Sequence, residues 1–128
     1  MEDTQPKVLL LDDDKFLLDM YSVKFSQAGF SVVPCFSTAE ALEKLRAGEK
    51  PQVMLFDITM PGDDGFVFLQ TVKSEKLSDG SVMIALTNQS NDEDRKKAEE
   101  LGVNKYVIKA SMIPSEVVAM VQQEVGKK

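Results

Sequence analysis

Five short apolar runs alternate with five longer segments of helical character, and this alternation restricts the fold more than any other feature of the chain. The runs are Lys7 to Leu11, Phe30 to Cys35, Val53 to Phe56, Val82 to Leu86 and Tyr106 to Ile108, each of strand length. The first helix is expected from Lys15 to Ala28, with Leu17, Met20, Tyr21, the Lys24 stem, Phe25 and Ala28 on one stripe and Gly29 closing it. Ser37-Thr38-Ala39-Glu40 forms a capping box for a second helix through Ala41, Leu42 and Leu45 to about Ala47, ahead of Gly48. Phe66, Leu69, Val72 and Lys73 place a third helix from near Gly65, and Ser78-Asp79-Gly80 a turn after it. Ser90-Asn91-Asp92-Glu93 is another capping box, opening a highly charged helix that Gly102 closes. Pro114 suits the first turn of a last helix, whose inner stripe is Val117, Val118, Val121 and Val125.

Alternating strands and helices with short connections imply a parallel sheet covered on both faces, an α/β doubly wound (βα)5 sandwich of three layers. Right-handed crossovers bring the C-terminal ends of all strands to one edge, and ligands bind outside that edge where the strand order reverses. The length of 128 residues fits one domain over 1–128, with 1–6 and 126–128 as frayed tails.

Several polar residues then share one address. Asp12 and Asp13 follow the first run, Asp57 the third, Thr87 the fourth and Lys109 the fifth. Nothing comparable follows the second, which suits an outer strand in the order 2-1-3-4-5. Each residue alone has an ordinary explanation: a solvated helix start for the aspartates, a turn for Asp57 before Pro61-Gly62, a strand end for Thr87, surface charge for Lys109. Their meeting at four strand ends of one sheet points to a site.

Composition narrows its chemistry. Histidine is absent and Cys35 is the single cysteine, so the chain holds no Ser-His-Asp or Cys-His machinery, no His-ligated zinc, no internal disulfide and no phosphohistidine of its own. Cys35, in an apolar run, is expected in the core. With 15 basic and 21 acidic side chains the formal charge is −6, a poor footing for direct nucleic-acid binding. No apolar run approaches the roughly 20 residues that cross a bilayer, and the start of the chain is polar, so no membrane partner and a cytoplasmic location are expected. An acid-rich, all-oxygen site suits Mg²⁺, which commonly accompanies phosphate. A carboxylate can itself attack phosphorus to form an acyl phosphate, while Lys109 and the Thr87 hydroxyl meet the phosphoryl oxygens.

The pieces Leu11-Asp12-Asp13, Phe56-Asp57-Ile58-Thr59-Met60-Pro61-Gly62-Asp63-Asp64-Gly65, Ala85-Leu86-Thr87 and Gly102-Val103-Asn104-Lys105-Tyr106-Val107-Ile108-Lys109, in that order, resemble the receiver domain of two-component response regulators over essentially the whole sequence. The resemblance implies a flavodoxin-like fold and a phosphorylation-activated signalling switch, not an enzyme in its own right. Asp57 would take the phosphoryl group from a phosphohistidine of a sensor histidine kinase or histidine phosphotransfer protein. Asp13, Asp57 and the Thr59 backbone carbonyl would hold Mg²⁺, with Asp12 acting through a metal-bound water. Lys109 would pair with Asp57, and later with the phosphoryl group. Thr87 would swing toward the phosphate, with Tyr106 turning from exposed to buried. The face of helix four, strand five and helix five would then bind a downstream protein target, the chain remaining a monomer or a weak phosphorylation-dependent homodimer. For Tyr106 the alternative is an aromatic of strand five that never moves.

Three positions depart from the family pattern. Ala110 follows Lys109 where proline is usual, and a cis bond without proline costs roughly 3 kcal/mol, so a trans bond and a reshaped loop are expected. Asn88 stands where a small residue normally follows the threonine, narrowing access or pointing outward. Asp63 replaces an apolar residue, and Thr59 and Gln89 flank the path of an attacking water. Two other readings remain at this stage. One is a receiver-fold interaction module independent of phosphorylation. The other is a phosphohydrolase of haloacid-dehalogenase type, which Asp12-x-Asp14 superficially fits but Phe16 does not.

Overall fold

The computed structural model describes residues 5–60, 64–77, 80–88 and 92–126. The Pro61-Gly62 turn, Asp63, the Ser78-Asp79 half of the expected turn, Gln89 and the Ser90-Asn91 half of the second capping box lie outside the described residues. The elements are β1 (Lys7–Leu11), α1 (Lys15–Gln27), β2 (Ser31–Cys35), α2 (Thr38–Arg46), β3 (Val53–Asp57), α3 (Asp64–Ser74), β4 (Val82–Thr87), α4 (Asp92–Glu100), β5 (Lys105–Ile108) and α5 (Pro114–Gly126). A short 3-10 turn, Lys109–Ser111, separates the last two. The strands form one parallel sheet in the order β2-β1-β3-β4-β5. This is the doubly wound arrangement that the alternation predicts and the flavodoxin-like fold that the resemblance implies.

Strand alternation divides the core into two layers. Leu9, Leu11, Met54, Phe56, Met83 and Ala85 face α2, α3 and Ala98 of α4. Val8, Leu10, Val53, Leu55, Val82, Ile84 and Leu86 face α1 and α5. Central strands buried on both faces explain why β1, β3 and β4 read as unbroken apolar runs. Cys35 is fully buried, and that burial pushes its thiol up to about 12, so it packs as a core residue.

Helix starts follow their sequence signals. Asp14 caps α1 by accepting from Leu17 N at 3.1 Å, and Ser37 caps α2 by accepting from Glu40 N at 3.1 Å. Glu40 closes the second cap by accepting from Phe36 N at 2.8 Å, one residue earlier than a standard capping box. The inner stripe of α1 is Leu18, Tyr21 and Phe25, with Leu17 and Ala28 at its border and Lys24 exposed. The stripe of α5 holds as expected, with Val117, Val118 and Val121 buried and Val125 against them. At the start of the chain the Pro6 carbonyl accepts from Ser31 N at 2.8 Å, while Gly126 ends α5. No helix among the described residues is long and apolar enough to cross a membrane.

Candidate functional site

Register alone brings the acids together. Leu11 pairs with Phe56, so the next residues, Asp12 and Asp57, leave adjacent strands side by side. Thr87 pairs with Ile108 one strand further on, which sets Lys109 at the same edge. The point where β1 separates β2 from β3 is the reversal of strand order, and the cluster sits there.

Three carboxylates converge: ligand oxygens of Asp12, Asp13 and Asp57 lie within 4.8 Å of one another. Asp12 and Asp57 are each 2% exposed, whereas Asp13 opens to solvent. Lys109 spans the buried pair, its Nζ 2.8 Å from Asp12 Oδ2 and 2.8 Å from Asp57 Oδ2. The sequence assigned it to Asp57 alone; the long stem lets one ammonium serve both. Asp57 Oδ1 accepts from Thr59 N at 2.7 Å and from Thr59 Oγ1 at 2.6 Å, so both oxygens of the carboxylate are fixed in direction. Asp12 Oδ1 accepts from Asp14 N at 2.9 Å. Asp14 thus caps α1 and orients its neighbour, a part the sequence reading did not give it.

Electrostatics follow from that packing. Burial raises the Asp12 carboxyl above its ordinary range, against the lowering pull of Lys109 and the Asp14 amide. Burial also opposes the charge of Lys109, yet Asp12 and Asp57 outweigh it and hold the ammonium above the ordinary lysine range. Among the described residues, one cation for two buried anions and a third at the rim leaves the cluster short of positive charge. The donors are all oxygen, without histidine or thiolate, and one side is open. That set fits Mg²⁺ better than zinc or copper.

The surrounding features divide. The peptide bond from Lys109 to Ala110 is trans, and the loop expected to be reshaped is the 3-10 turn Lys109–Ser111, which still delivers Lys109 to the cluster. Asn88 is exposed, the outward alternative. Tyr106 lies on β5 with its ring half-buried against the layer of Met83, Ala85 and Ala98. Its hydroxyl is buried, near Thr87 but without a hydrogen bond of ordinary geometry, and burial raises its pKa. Gly65, at the start of α3, is a site residue that sequence reading treated only as a helix boundary. A Cβ there would stand 2.4 Å from both the Asp57 carbonyl oxygen and Ile58 Cα. Helix α3 therefore presses directly on the backbone that carries Asp57.

Known proteins give the same picture. The family model for the response regulator receiver domain matches residues 8–122. A 14.6 kDa protein of Leptolyngbya boryana is 32% identical over 119 residues, covering 93% of this chain and 89% of that one. The phosphate regulon transcriptional regulatory protein PhoB of Escherichia coli is 27% identical over 116 residues, 91% of this chain but 50% of its own length. The chain thus spans about half the length of that transcriptional regulator. Among solved structures, the chemotaxis response regulator CheY4 of Vibrio cholerae superposes with a TM-score of 0.82 at 26% identity, covering 95% of this chain and 99% of that one. A CheY-like receiver domain protein from Methanospirillum hungatei gives a TM-score of 0.86 at 24% identity over 97% and 96% of the two chains, a likeness of fold. With its fold, its strand-end acids and its sequence all agreeing, the chain belongs to the response regulator receiver family, whose members act as signalling regulators.

Proposed function

We propose that the chain is a switch set by phosphorylation of Asp57, with the phosphoryl group supplied by a phosphohistidine of a sensor kinase or phosphotransfer protein. The observation that carries this reading is the shared lysine: Lys109 Nζ stands 2.8 Å from Asp57 Oδ2, where a phosphoryl oxygen would also find it. In the transfer an Asp57 oxygen bonds to phosphorus, the phosphorus–nitrogen bond of the donor breaks, and the electron pair leaves with the imidazole. Thr59 fixes the carboxylate plane for that in-line approach through its two hydrogen bonds to Oδ1. Lys109 exchanges a carboxylate oxygen for the new phosphoryl oxygens, and Thr87, on the neighbouring strand, gains an acceptor.

Asp12, Asp13 and Asp57 would hold Mg²⁺, with the Thr59 carbonyl as a further ligand. When bound, the ion offsets charge on the transferring group. Asp12 contributes through its position beside Lys109 and through bound water. The output is a change in the surface built by α4, β5 and α5, read by a protein target.

The test is labelling of the purified chain by acetyl phosphate or phosphoramidate with Mg²⁺, followed by intact mass. We expect one phosphoryl group on the native chain, none on Asp57→Asn, and loss of labelling with chelator. A native chain that gains no mass from either donor, beside a receiver domain that does, would make it a module working without phosphorylation.

A further inference from the structure

Helix α4 has almost no apolar means of attachment. Its sequence, Asp-Glu-Asp-Arg-Lys-Lys-Ala-Glu-Glu, buries Ala98 alone. Two cations supply what an apolar stripe normally would. Lys97 Nζ lies 4.4 Å from the centre of the Phe66 ring on α3, and Arg95 Cζ lies 5.1 Å from the centre of the Tyr106 ring on β5. Both fall within the ~6 Å at which a ring face attracts a cation.

The second contact has a consequence for the switch. Turning Tyr106 inward buries its hydroxyl without a hydrogen bond of ordinary geometry, which costs free energy relative to leaving it in water. Ring packing against Ala98 and its neighbours offsets part of that cost. We propose that Arg95 is the positioning residue for Tyr106: its guanidinium, laid over the ring from α4, holds the aromatic inward beside Thr87. The ring then leaves only if the guanidinium gives way. A surface cavity of about 230 Å³ lined by Arg95, Glu99, Val103, Tyr106, Val107 and other residues of β5 and α5 changes shape with it. The inference rests on the reading that Thr87 answers to a phosphoryl group at Asp57, since that link gives the ring its signal.

The chain has two tyrosines, so uniform labelling with fluorotyrosine gives a two-signal fluorine NMR spectrum. Tyr106→Phe assigns the signals, and Tyr21, 3% exposed in the opposite layer, reports whether the fold is intact. In Arg95→Met we expect the inward-to-outward ratio of Tyr106 to fall about two- to five-fold, the scale of an exposed cation–π contact. Arg95→Lys should recover part of the loss, and Tyr21 should not move. Lys97→Met loosens the same helix at Phe66 and should leave the Tyr106 signal in place. An unmoved Tyr106 signal in Arg95→Met would overturn the proposal. So would an equal shift in Lys97→Met, or an Arg95→Lys signal no different from Arg95→Met. Acetyl phosphate labelling of the same samples separates the two readings: no mass gain in any sample defeats the Asp57 assignment, whereas the fluorine signals judge Arg95 with no donor present.

Discussion

Asp12 and Asp13 are chain neighbours with opposite surroundings, one 2% exposed and salt-bridged, the other open to solvent. Sequence marks both as acids at a strand end but gives no means of separating them, because strand alternation has stopped and the helix has not begun. The double duty of Lys109 was hidden for a related reason: β3 and β4 lie between β1 and β5, and only the reach of the lysine stem closes that gap. That ammonium is central to the residue-scale energetics. Its folded pKa is raised, so its contribution is fully present below the ordinary value of 10.5 and is lost as pH rises through the folded value. Lys109→Met should therefore cost about 3 kcal/mol near neutral pH, with the gap from the native chain closing in strongly alkaline solution. The same variant leaves Asp12 without its lowering partner. An acid raised above 3.8 binds protons more readily folded than unfolded, so the stability of Lys109→Met should climb as pH falls toward that carboxyl's folded value. Urea denaturation of both chains across pH measures each slope, and a constant gap would contradict the pairing. Gly65 carries the other residue-scale expectation. Gly65→Ala puts a methyl against the Asp57 carbonyl and Ile58 backbone, which cannot yield as a side-chain tip would. A loss of about 1–3 kcal/mol in urea denaturation is expected, with slower labelling from acetyl phosphate.

Helix ends show how far local sequence could be read, and where it fell silent. Helices α1, α2 and α4 finish with paired reverse hydrogen bonds, such as Gly29 N to the Ser26 carbonyl and Phe30 N to the Phe25 carbonyl. Gly29, Gly48 and Gly102 take the left-handed position in each, and glycine spacing alone revealed them. After α1 the motif also stacks Phe30 edge-on to Phe25, with ring centres 5.1 Å apart. Helix α3 ends in the same bonds, Lys76 N to the Lys73 carbonyl and Leu77 N to the Val72 carbonyl, but the left-handed residue is Lys76 at φ 59°. No residue type announced that cap, which is why the end of this helix was illegible. A side chain there costs about 1 kcal/mol or more, and Lys76 is exposed, so Lys76→Gly should gain about 0.5–1 kcal/mol with labelling of Asp57 unchanged. A fall in the urea midpoint would mean that the lysine is held there by something other than backbone geometry. The stripe of α1 was misplaced by one residue for a different reason. Leu17 and Leu18 are adjacent and equally apolar, and only packing against the sheet chose Leu18.

At the scale of the whole molecule, alternation of apolar runs made the sheet and its common edge readable, and the lack of a site residue after the second run made its order so. The same order with right-handed crossovers also separates α1 from α2, α3 and α4; only α5, which no strand follows, shows its place beside α1 in the structure alone. That architecture gathers acids from separate strands at one edge of a chain whose formal charge is already −6, so a divalent cation should act on stability as well as on chemistry. An ion bound only by the folded chain stabilises it by about 2.7 kcal/mol at a hundredfold excess over Kd. Screening of the net charge would also raise the melting temperature, but any salt provides that. Melting in Mg²⁺ should thus exceed melting in sodium chloride of equal ionic strength by several degrees, and the excess should vanish in Asp57→Asn and shrink in Asp13→Asn. Asp13 is the sharper arm, since its side chain is exposed and packs no core: removing it takes away a ligand without opening a cavity. If Asp13→Asn keeps the full excess, the ion sits elsewhere on the acidic surface, and the strand-end cluster is then a balance between Lys109 and two buried carboxylates alone.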